Sequence, residues 1–525
     1  MAGIAKIEAD RRLEQDRLDR LKGAEARNKL GQFATPNALA LAIASHLVGL
    51  RGDRAEALRF LDPSIGSGSF FSALRQVVGS ERVEAVGVEV DPAFAEVVLR
   101  LWGPLGLEVV EGDLTRLEPP PVGRRANLVL ANPPYVRHHH LGLEEKRRLG
   151  ELVKGRVGAD VSGLAGLYVY FLLLCDAWLE DGGLAAWLIP SEFMNVNYGS
   201  AIRDYLTGRV RLRRIHRFRP ADAQFGDALV TSAVVIFEKV APVEGDSVLM
   251  SLGGSLDEPG SGEWVPTDSL RSARKWTNYP RGVAIPDAAP AGGTTTLGDL
   301  FTIRRGLVTG SNAFFIMTRA EALRLGLPPR FLKPILPSPR YLKEPIIEGD
   351  DARDSAASLV LLDCDRPEAE VRSDHPALWA YLQAGVARGL HEGYLTSRRS
   401  PWYSQERREV PPFVCTYMGR HRGGTPPFRI FWNRSRAVAA NVYLFLYPKG
   451  PMLRAIEADP SRAAVVFGLL QAIQPARFID EGRVYGGGLH KMEPKELAAL
   501  PFPADALFEA ANRPLAPRQA ILAGF

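Results

Sequence analysis

Leu128-Val-Leu-Ala-Asn-Pro-Pro-Tyr135 is an apolar run that ends in an amide, two prolines and an aromatic ring. The run reads as a strand. The prolines fix φ and remove two N–H donors, so the turn offers rigid carbonyl acceptors. The side-chain oxygen of Asn132 and a proline carbonyl form a pair of acceptors that suits a planar amine with two hydrogens. Tyr135 adds a flat face for stacking.

Around this turn, residues 29–239 alternate strand-like runs with helical patterns. Leu58–Leu61, Val83–Val90, Leu128–Ala131, Leu184–Ile189 and Val230–Phe237 read as strands. Ala38–Val48, Ser69–Val78 and Tyr168–Glu180 read as helices. Strands alternating with helices predict a parallel sheet covered on both faces, an α/β fold. Three further motifs stand at strand ends. Phe60-Leu-Asp-Pro-Ser-Ile-Gly-Ser-Gly-Ser-Phe70 runs from a strand into a turn with glycines at 66 and 68, where a ligand can approach the backbone closely. Val86-Gly-Val-Glu-Val-Asp91 puts Glu89 where a carboxylate can accept hydrogen bonds from ribose hydroxyls. Glu111-Gly-Asp-Leu114 pairs a carboxylate, Asp113, with an apolar residue that can cover a ring.

Composition narrows the class. The 525 residues carry 65 Lys+Arg against 60 Asp+Glu, a net charge of +5, with 46% hydrophobic and 24% charged residues. This is a globular composition, which excludes wholesale disorder, a collagen and a coiled-coil rod. Cys175, Cys364 and Cys415 make neither a disulfide framework nor a zinc motif, and point to a reducing compartment. No apolar run of membrane-spanning length occurs. The N-terminus is too charged for a secretory signal, so a cytoplasmic protein without membrane attachment is expected.

The four motifs, in this order, resemble the gamma-class, TaqI-like adenine-N6 DNA methyltransferases. Gly31-Gln-Phe-Ala-Thr-Pro36 resembles the element that precedes the glycine turn in that family and touches the methionine carboxylate of S-adenosylmethionine. Gly166–Phe171 and Leu179–Pro190 resemble the family's following helix and strand. Phe225 matches the aromatic that stacks on the flipped base. The resemblance implies a Rossmann-like class I S-adenosylmethionine-dependent methyltransferase domain plus a mixed α+β C-terminal target-recognition domain. It implies catalysis by Asn132, Pro133, Pro134 and Tyr135. Cofactor binding would fall to Thr35, Pro36, Asp62, Pro63, Ser64, Gly66, Gly68, Glu89, Asp113, Leu114 and Asn132, and stacking on the target base to Tyr135 and Phe225. The implied partners are double-stranded DNA and a cognate restriction endonuclease, in a bacterial or archaeal cell.

The domain expectations follow. Residues 1–28 read as a charged, mostly solvated helix with sparse apolar positions at Ile7, Leu13, Leu18 and Leu21. Residues 29–240 are the catalytic domain. Residues 241–296, rich in Gly, Pro, Ser and Asp, read as an extension and connector. Residues 297–525 are the target-recognition domain. Within the last, Arg398–Arg436 holds nine arginines against two glutamates, interleaved with aromatics, a pattern suited to nucleic acid. Arg304, Arg305, Arg407, Arg408, Arg420 and Arg422 are the candidate DNA-binding residues, and the loops at 303–312 and 485–491 resemble recognition segments.

Two patterns are set aside. His138-His139-His140 cannot all point at one metal from a regular element, and no metal is expected. Asp480 with Glu493-Pro-Lys495 mimics a nuclease pattern that is short enough to arise by chance. The alternatives weighed are an N-methyltransferase acting on RNA or on protein glutamine, and the methylating part of a combined restriction–modification enzyme. The upstream Gly31–Pro36 element and the large C-terminal region argue against the first. The short N-terminal stretch, which leaves no room for a nuclease, argues against the second.

Overall fold

The computed structural model describes residues 2–52, 56–79, 82–219, 232–273, 275–280, 295–348, 358–421, 425–485 and 489–503. The chain divides into two units, residues 1–287 with 485–488, and residues 288–484 with 489–525.

The first unit is built on a nine-stranded sheet. Its strands are β1 (Leu58–Asp62), β2 (Val83–Glu89), β3 (Leu107–Glu111), β4 (Ala126–Ala131), β5 (Leu179–Pro190), β6 (Arg211–Arg217), β7 (Ser232–Glu238), β8 (Ser247–Gly254) and β9 (Pro259–Pro266). They lie in the order β3-β2-β1-β4-β5-β7-β6-β8-β9. The pairs from β3 through to β5 are parallel, and β7 runs antiparallel between β5 and β6. β4 is buried along its whole length, which explains why it reads as a continuous apolar run.

Helices α1 (Ala2–Leu30), α2 (Asn37–Arg51), α3 (Ser69–Val78), α4 (Pro92–Trp102), α5 (Leu143–Val157), α6 (Leu167–Leu174) and α7 (Ser200–Gly208) accompany the sheet. Two clusters of buried side chains flank it. One is built around Leu61, Val129, Tyr168 and Trp187, the other around Phe60, Phe71, Trp102 and Leu128. Alternate residues of β1 and β4 therefore face opposite layers, as the strand period of two requires. The strand order reverses between β1 and β4. At such a switch point the connections leave in opposite directions and open a crevice at the carboxyl ends of the strands. Asp62 ends β1, and Asn132 follows β4 directly.

Three sequence expectations change. The stretch read as a connector, 241–296, supplies β8 and β9. β8 pairs in parallel with β6, and β9 returns along it. Its apolar residues Val248, Met250 and Val265 are buried, but Gly and Ser between them weaken the periodicity. The helix read over Tyr168–Glu180 stops earlier. α6 ends at Leu174, a 3₁₀ turn covers Cys175–Trp178, and β5 begins at Leu179. The helix read as mostly solvated, α1, keeps Leu13 and Leu21 in solvent but buries Leu18, Glu8 and Arg11.

The second unit is mixed α+β. Its five-stranded sheet runs in the order Phe301–Arg305, Tyr443–Pro448, Phe413–Thr416, Ile430–Asn433 and Ile346–Ile347. A three-stranded sheet joins Ile316–Thr318, Leu359–Leu362 and Leu332–Pro334. Helices Pro376–Ala387 and Arg462–Gln471 contribute Leu378, Leu382, Val466 and Phe467 to its cores.

Candidate active site

A cavity of about 290 Å³ opens at the switch point. Its walls come from Leu30–Ala34, from Pro63, Ser64 and Gly66 of the glycine turn, and from Val88–Val90 at the end of β2. Gly112–Leu114 after β3, and Asn132 and Pro134 after β4, complete the strand-end side. Phe94, Val136, Leu167 and Phe171 add apolar surface, and Gln15 and Asp19 of α1 contribute one side.

The turn after β1 is pinned from several directions. Gly66 N–H donates to Glu89 Oε2 at 2.8 Å, and Asp91 N–H donates to Glu89 Oε1 at 2.9 Å. Each Glu89 oxygen retains a lone pair for a ligand. Gly68 adopts φ 90° at the start of α3, and a Cβ there would meet the Trp102 ring at 2.8 Å. Trp102 Nε1 in turn donates to the Ser67 carbonyl oxygen at 3.2 Å. Only glycine fits a site with both that dihedral and that neighbour.

Asp62 is 2% exposed and braces the turn from beneath, its Oδ1 accepting the Ser64 N–H at 3.1 Å. Burial pushes its carboxyl up to about 8, against the pull of the Ser64 N–H, and the nearby Glu89 charge adds to the rise. Burial likewise raises Glu89, opposed by the two backbone N–H groups. Burial therefore disfavours the charged form of both carboxyl groups, and a positive charge beside them would favour it.

Asn132 is fixed by the segment before α2. Its Nδ2 donates to the Phe33 carbonyl oxygen at 2.8 Å and to Thr35 Oγ1 at 3.1 Å. Both amide hydrogens are thereby engaged, so Oδ1 is presented as an acceptor. Ser64 Oγ donates to the Asn132 backbone oxygen at 3.0 Å, joining the turns after β1 and β4. Tyr135 N–H donates to the Gly31 carbonyl oxygen at 2.9 Å. Gly31 has φ 65°, and a Cβ there would stand 2.3 Å from the Tyr135 nitrogen.

Of the residues singled out from sequence, Pro63, Ser64, Gly66, Glu89, Asp113, Leu114, Asn132 and Pro134 line the cavity. Thr35, Asp62 and Gly68 support it from behind. Pro36 caps the start of α2. Tyr135 is 7% exposed, packs against Phe33 at 5.7 Å between ring centroids, and donates its hydroxyl to the Leu188 carbonyl at 3.0 Å. Asp113 Oδ1 accepts from Thr115 N–H and Oγ1 at 2.9 and 2.8 Å. Phe225, Arg422 and the glycines at 486–488 lie outside the described residues.

In the second unit the basic stretch divides by role. Arg399 Nη1 donates to the Thr309 carbonyl at 2.8 Å, and Arg429 Nη1 to that of Leu342 at 2.9 Å, so these two tie loops together. Arg407 pairs with Asp365 at 2.7 Å, and Arg408 with Glu406 at 2.6 Å. Arg304, Arg305 and Arg420 are exposed, with Arg305 over the Tyr417 ring at 4.4 Å. Tyr403, Tyr417 and Phe428 are core residues. Glu493, from the nuclease-like pattern, caps the helix Pro494–Ala498, accepts from the Tyr417 hydroxyl at 2.9 Å and pairs with Lys491 at 2.7 Å. His138–His140 form a 3₁₀ turn, and no group of metal-ligating side chains occurs among the described residues.

Sequence reasoning missed the apolar walls Val90, Phe94 and Phe171. It also missed Gln15 and Asp19. The Glu8–Arg11 spacing and the burial of Leu18 mark one face of α1, but charged residues on both faces hid it.

Two family profiles match the chain. The one described as Eco57I restriction-modification methylase covers residues 125–225, and the one described as Type II methyltransferase M.Eco57I, C-terminal domain, covers 278–519. The Type II methyltransferase M.XamI of Xanthomonas campestris pv. amaranthicola is 30% identical over 460 residues, 85% of this chain and 80% of the relative. M.AccI of Acinetobacter calcoaceticus is 24% identical, over 90% of this chain and 85% of the relative. The solved structure of the Type IIL restriction-modification enzyme MmeI in complex with DNA is similar in fold. Its TM-score is 0.50 at 13% identity, over 82% of this chain and 61% of that one. With nearly full-length similarity to such relatives, and with both family profiles matched in order along it, the chain belongs to the Type II methyltransferases of restriction–modification systems.

Proposed function

We propose that the chain transfers a methyl group from S-adenosylmethionine to N6 of an adenine flipped out of double-stranded DNA, as the modification enzyme beside a cognate restriction endonuclease. The observation that carries this reading is the clamp on Asn132. With Nδ2 held by Phe33 and Thr35, Oδ1 is a preoriented acceptor at the cavity wall.

The cavity suits the cofactor chemically. Among the described residues its walls hold the carboxylates of Asp19, Glu89 and Asp113 and no Lys, Arg or His, so they favour a cationic ligand. Glu89 would accept from ribose hydroxyls and Asp113 from the adenine amino group, with Leu114 and Phe171 against the ring. Pro63, Ser64 and Gly66 would contact the methionine end. Thr35, Pro36, Asp62 and Gly68 shape those contacts from behind. When bound, S-adenosylmethionine supplies an electrophilic methyl on a sulfonium.

The amine to be methylated is a poor nucleophile, because its lone pair is delocalised into the ring. Asn132 Oδ1 and the Pro133 carbonyl accept its two hydrogens and favour a more tetrahedral nitrogen with a localised lone pair. Pro134 keeps the turn rigid. The work is positioning and electrostatics, and no side chain need act as a strong base beforehand, since the methylated nitrogen would be cationic and would release its surplus proton to solvent after the transfer. Reaching N6 requires the base to leave the stack, with Tyr135 and Phe225 as stacking faces. Arg304, Arg305, Arg407, Arg408, Arg420 and Arg422 are proposed to contact the duplex. The relatives' names, and the DNA in the MmeI structure, support a DNA substrate.

The test is mass spectrometry of nucleosides from DNA incubated with the protein and S-adenosylmethionine. N6-methyldeoxyadenosine is expected. N4-methyldeoxycytidine as the product would overturn the adenine assignment, since the same pair of acceptors also suits that amine.

A further inference from the structure

Helix α1 lines one side of the cavity, and its attachment is specific. Glu8 and Arg11 are 5% and 3% exposed and form a two-point ion pair, with Arg11 Nε and Nη2 at 2.7 and 2.8 Å from the two carboxylate oxygens. Arg11 Nη1 donates to Ser67 Oγ of the glycine turn at 2.8 Å. Ser72 Oγ, in the first turn of α3, donates to Glu8 Oε2 at 2.7 Å. The Glu8 carboxylate thus stands at the positive end of α3 and offsets the arginine beside it. A buried pair with its hydrogen bonds completed is a directional fixture, because breaking either half strands the other charge.

A second latch lies three turns on. Lys22 pairs with Asp91 at the start of α4, donates to Gln32 Oε1 at 2.7 Å, and lies 5.3 Å from the Phe94 ring centroid. Glu14 pairs with Arg100 of α4 at 2.5 Å. Past Lys22 the helix breaks at Gly23, with φ 72° and ψ 158°, and the chain turns toward Leu30–Ala34.

Between the latches, Gln15 and Asp19 reach the cavity. Gln15 Nε2 donates to Asp19 Oδ1 at 2.9 Å, and Arg27 lies 3.5 Å from Asp19 Oδ2. These contacts orient the carboxylate. It is the third acid of a wall whose lining side chains include no basic residue among the described residues, although Arg27 beside it offsets part of its charge.

We propose that α1 is a strap closing the cofactor cavity, and that Asp19 makes the closed cavity prefer a sulfonium cation over the uncharged thioether left after methyl transfer. This rests on the cofactor reading above. The physical basis is charge. Methyl loss removes one positive charge, and the carboxylate's attraction goes with it. The strap would thereby favour exchange of spent cofactor for fresh.

The experiment is isothermal titration of the full chain with S-adenosylmethionine and with S-adenosylhomocysteine. Asp19→Asn is nearly isosteric and keeps the Gln15 contact. It should weaken S-adenosylmethionine binding several-fold, up to about tenfold, and leave S-adenosylhomocysteine within about twofold. Unchanged affinity for both, or equal loss for both, overturns the charge role. Hydrogen exchange gives the strap its own readout. Amides of residues 8–22 should exchange more slowly when S-adenosylmethionine is added, and Arg11→Ala should abolish that slowing. If those amides are indifferent to cofactor in the wild-type chain, the strap is refuted. A wild-type chain that binds neither ligand overturns the cofactor reading and this proposal with it. Loss of binding in Glu89→Ala, alongside wild-type behaviour in Asp19→Asn, sinks the charge role of Asp19 and leaves the cofactor reading standing.

Discussion

Asn132 Nδ2 lies 2.8 Å from the Phe33 carbonyl oxygen, a hydrogen bond between residues 99 positions apart. With the 3.1 Å bond to Thr35 Oγ1 it fixes which way the amide faces. Asn132→Ala should cut methyl transfer by about 100-fold or more, the scale for losing a preorganised polar partner of a transition state. S-adenosylmethionine affinity should stay within a few-fold. Thr35→Val frees one amide hydrogen and should lower turnover by about tenfold. Single-turnover methylation beside titration calorimetry checks both. Near-normal turnover in Asn132→Ala would refute the acceptor role.

Tyr135 separates stacking from anchoring. Its hydroxyl is bound to the Leu188 carbonyl in the interior. Tyr135→Phe keeps the ring and should lose about 1 kcal/mol of stability with turnover largely retained. Tyr135→Ala opens a cavity and should lose about 3–5 kcal/mol. Its activity is informative only at a temperature where a denaturation curve shows it folded. A larger activity loss in Tyr135→Phe than in Tyr135→Ala would contradict the stacking role.

Asp62 gives a pH signature. Its carboxyl, raised to about 8 by burial and then by Glu89, stays protonated in the folded chain after the unfolded chain has ionised. The native state therefore binds more protons than the unfolded state between about pH 4 and pH 8, and stability falls as pH rises through that window. Asp62→Asn removes this penalty. It should raise the melting temperature more at pH 9 than at pH 5, where the folded wild-type and variant chains are both uncharged at this site. A gain of a few degrees at pH 9 is expected, since about 1 kcal/mol moves a domain of this size by roughly 2–4 °C. Equal effects at both pH values would argue against a buried protonated carboxyl.

Gly31→Ala tests the seam between the segment before α2 and the turn after β4. The added Cβ meets the Tyr135 nitrogen at 2.3 Å, and φ is 65°. A loss of about 1–3 kcal/mol is expected from the backbone strain alone. Turnover should fall further than stability explains, because displacing this segment releases Asn132. Urea unfolding and initial rates on the folded fraction separate the two effects.

The arginines of the second unit should fall into two groups. Arg429→Ala leaves the Leu342 and Pro339 carbonyls without their donor and should lower the melting temperature. The exposed Arg304, Arg407 and Arg420, replaced together by Ala, should leave it nearly unchanged. Their replacement should weaken duplex binding and flatten its salt dependence by about 0.9 in log–log slope for each phosphate no longer neutralised. Gel shifts at several salt concentrations, beside melting curves, read both. A wild-type slope in the triple variant would move recognition away from these residues.

Much of this protein was decided by local sequence. Burial on both faces makes parallel strands read as apolar runs, so β1, β2 and β4 were visible, and with them the positions of Asp62, Glu89 and Asn132 at strand ends. The order of the glycine turn, the acids and the Asn-Pro-Pro-Tyr turn was equally legible, since each is a short stretch with its own backbone chemistry. Three matters were left to the tertiary structure. β8 and β9 have too little periodicity to declare themselves and exist as strands by pairing with β6 and with each other. Tyr135 reads as a flat stacking face after two prolines, and nothing local shows that its hydroxyl finds a carbonyl 53 residues away. The inner side of α1 buries Glu8 and Arg11 and brings Gln15 and Asp19 to the cavity, polar residues that any periodicity rule assigns to solvent. Glu8 and Arg11 find their partners in α3 and in the glycine turn, and a charge buried against a distant partner leaves no hydrophobic pattern in its own segment.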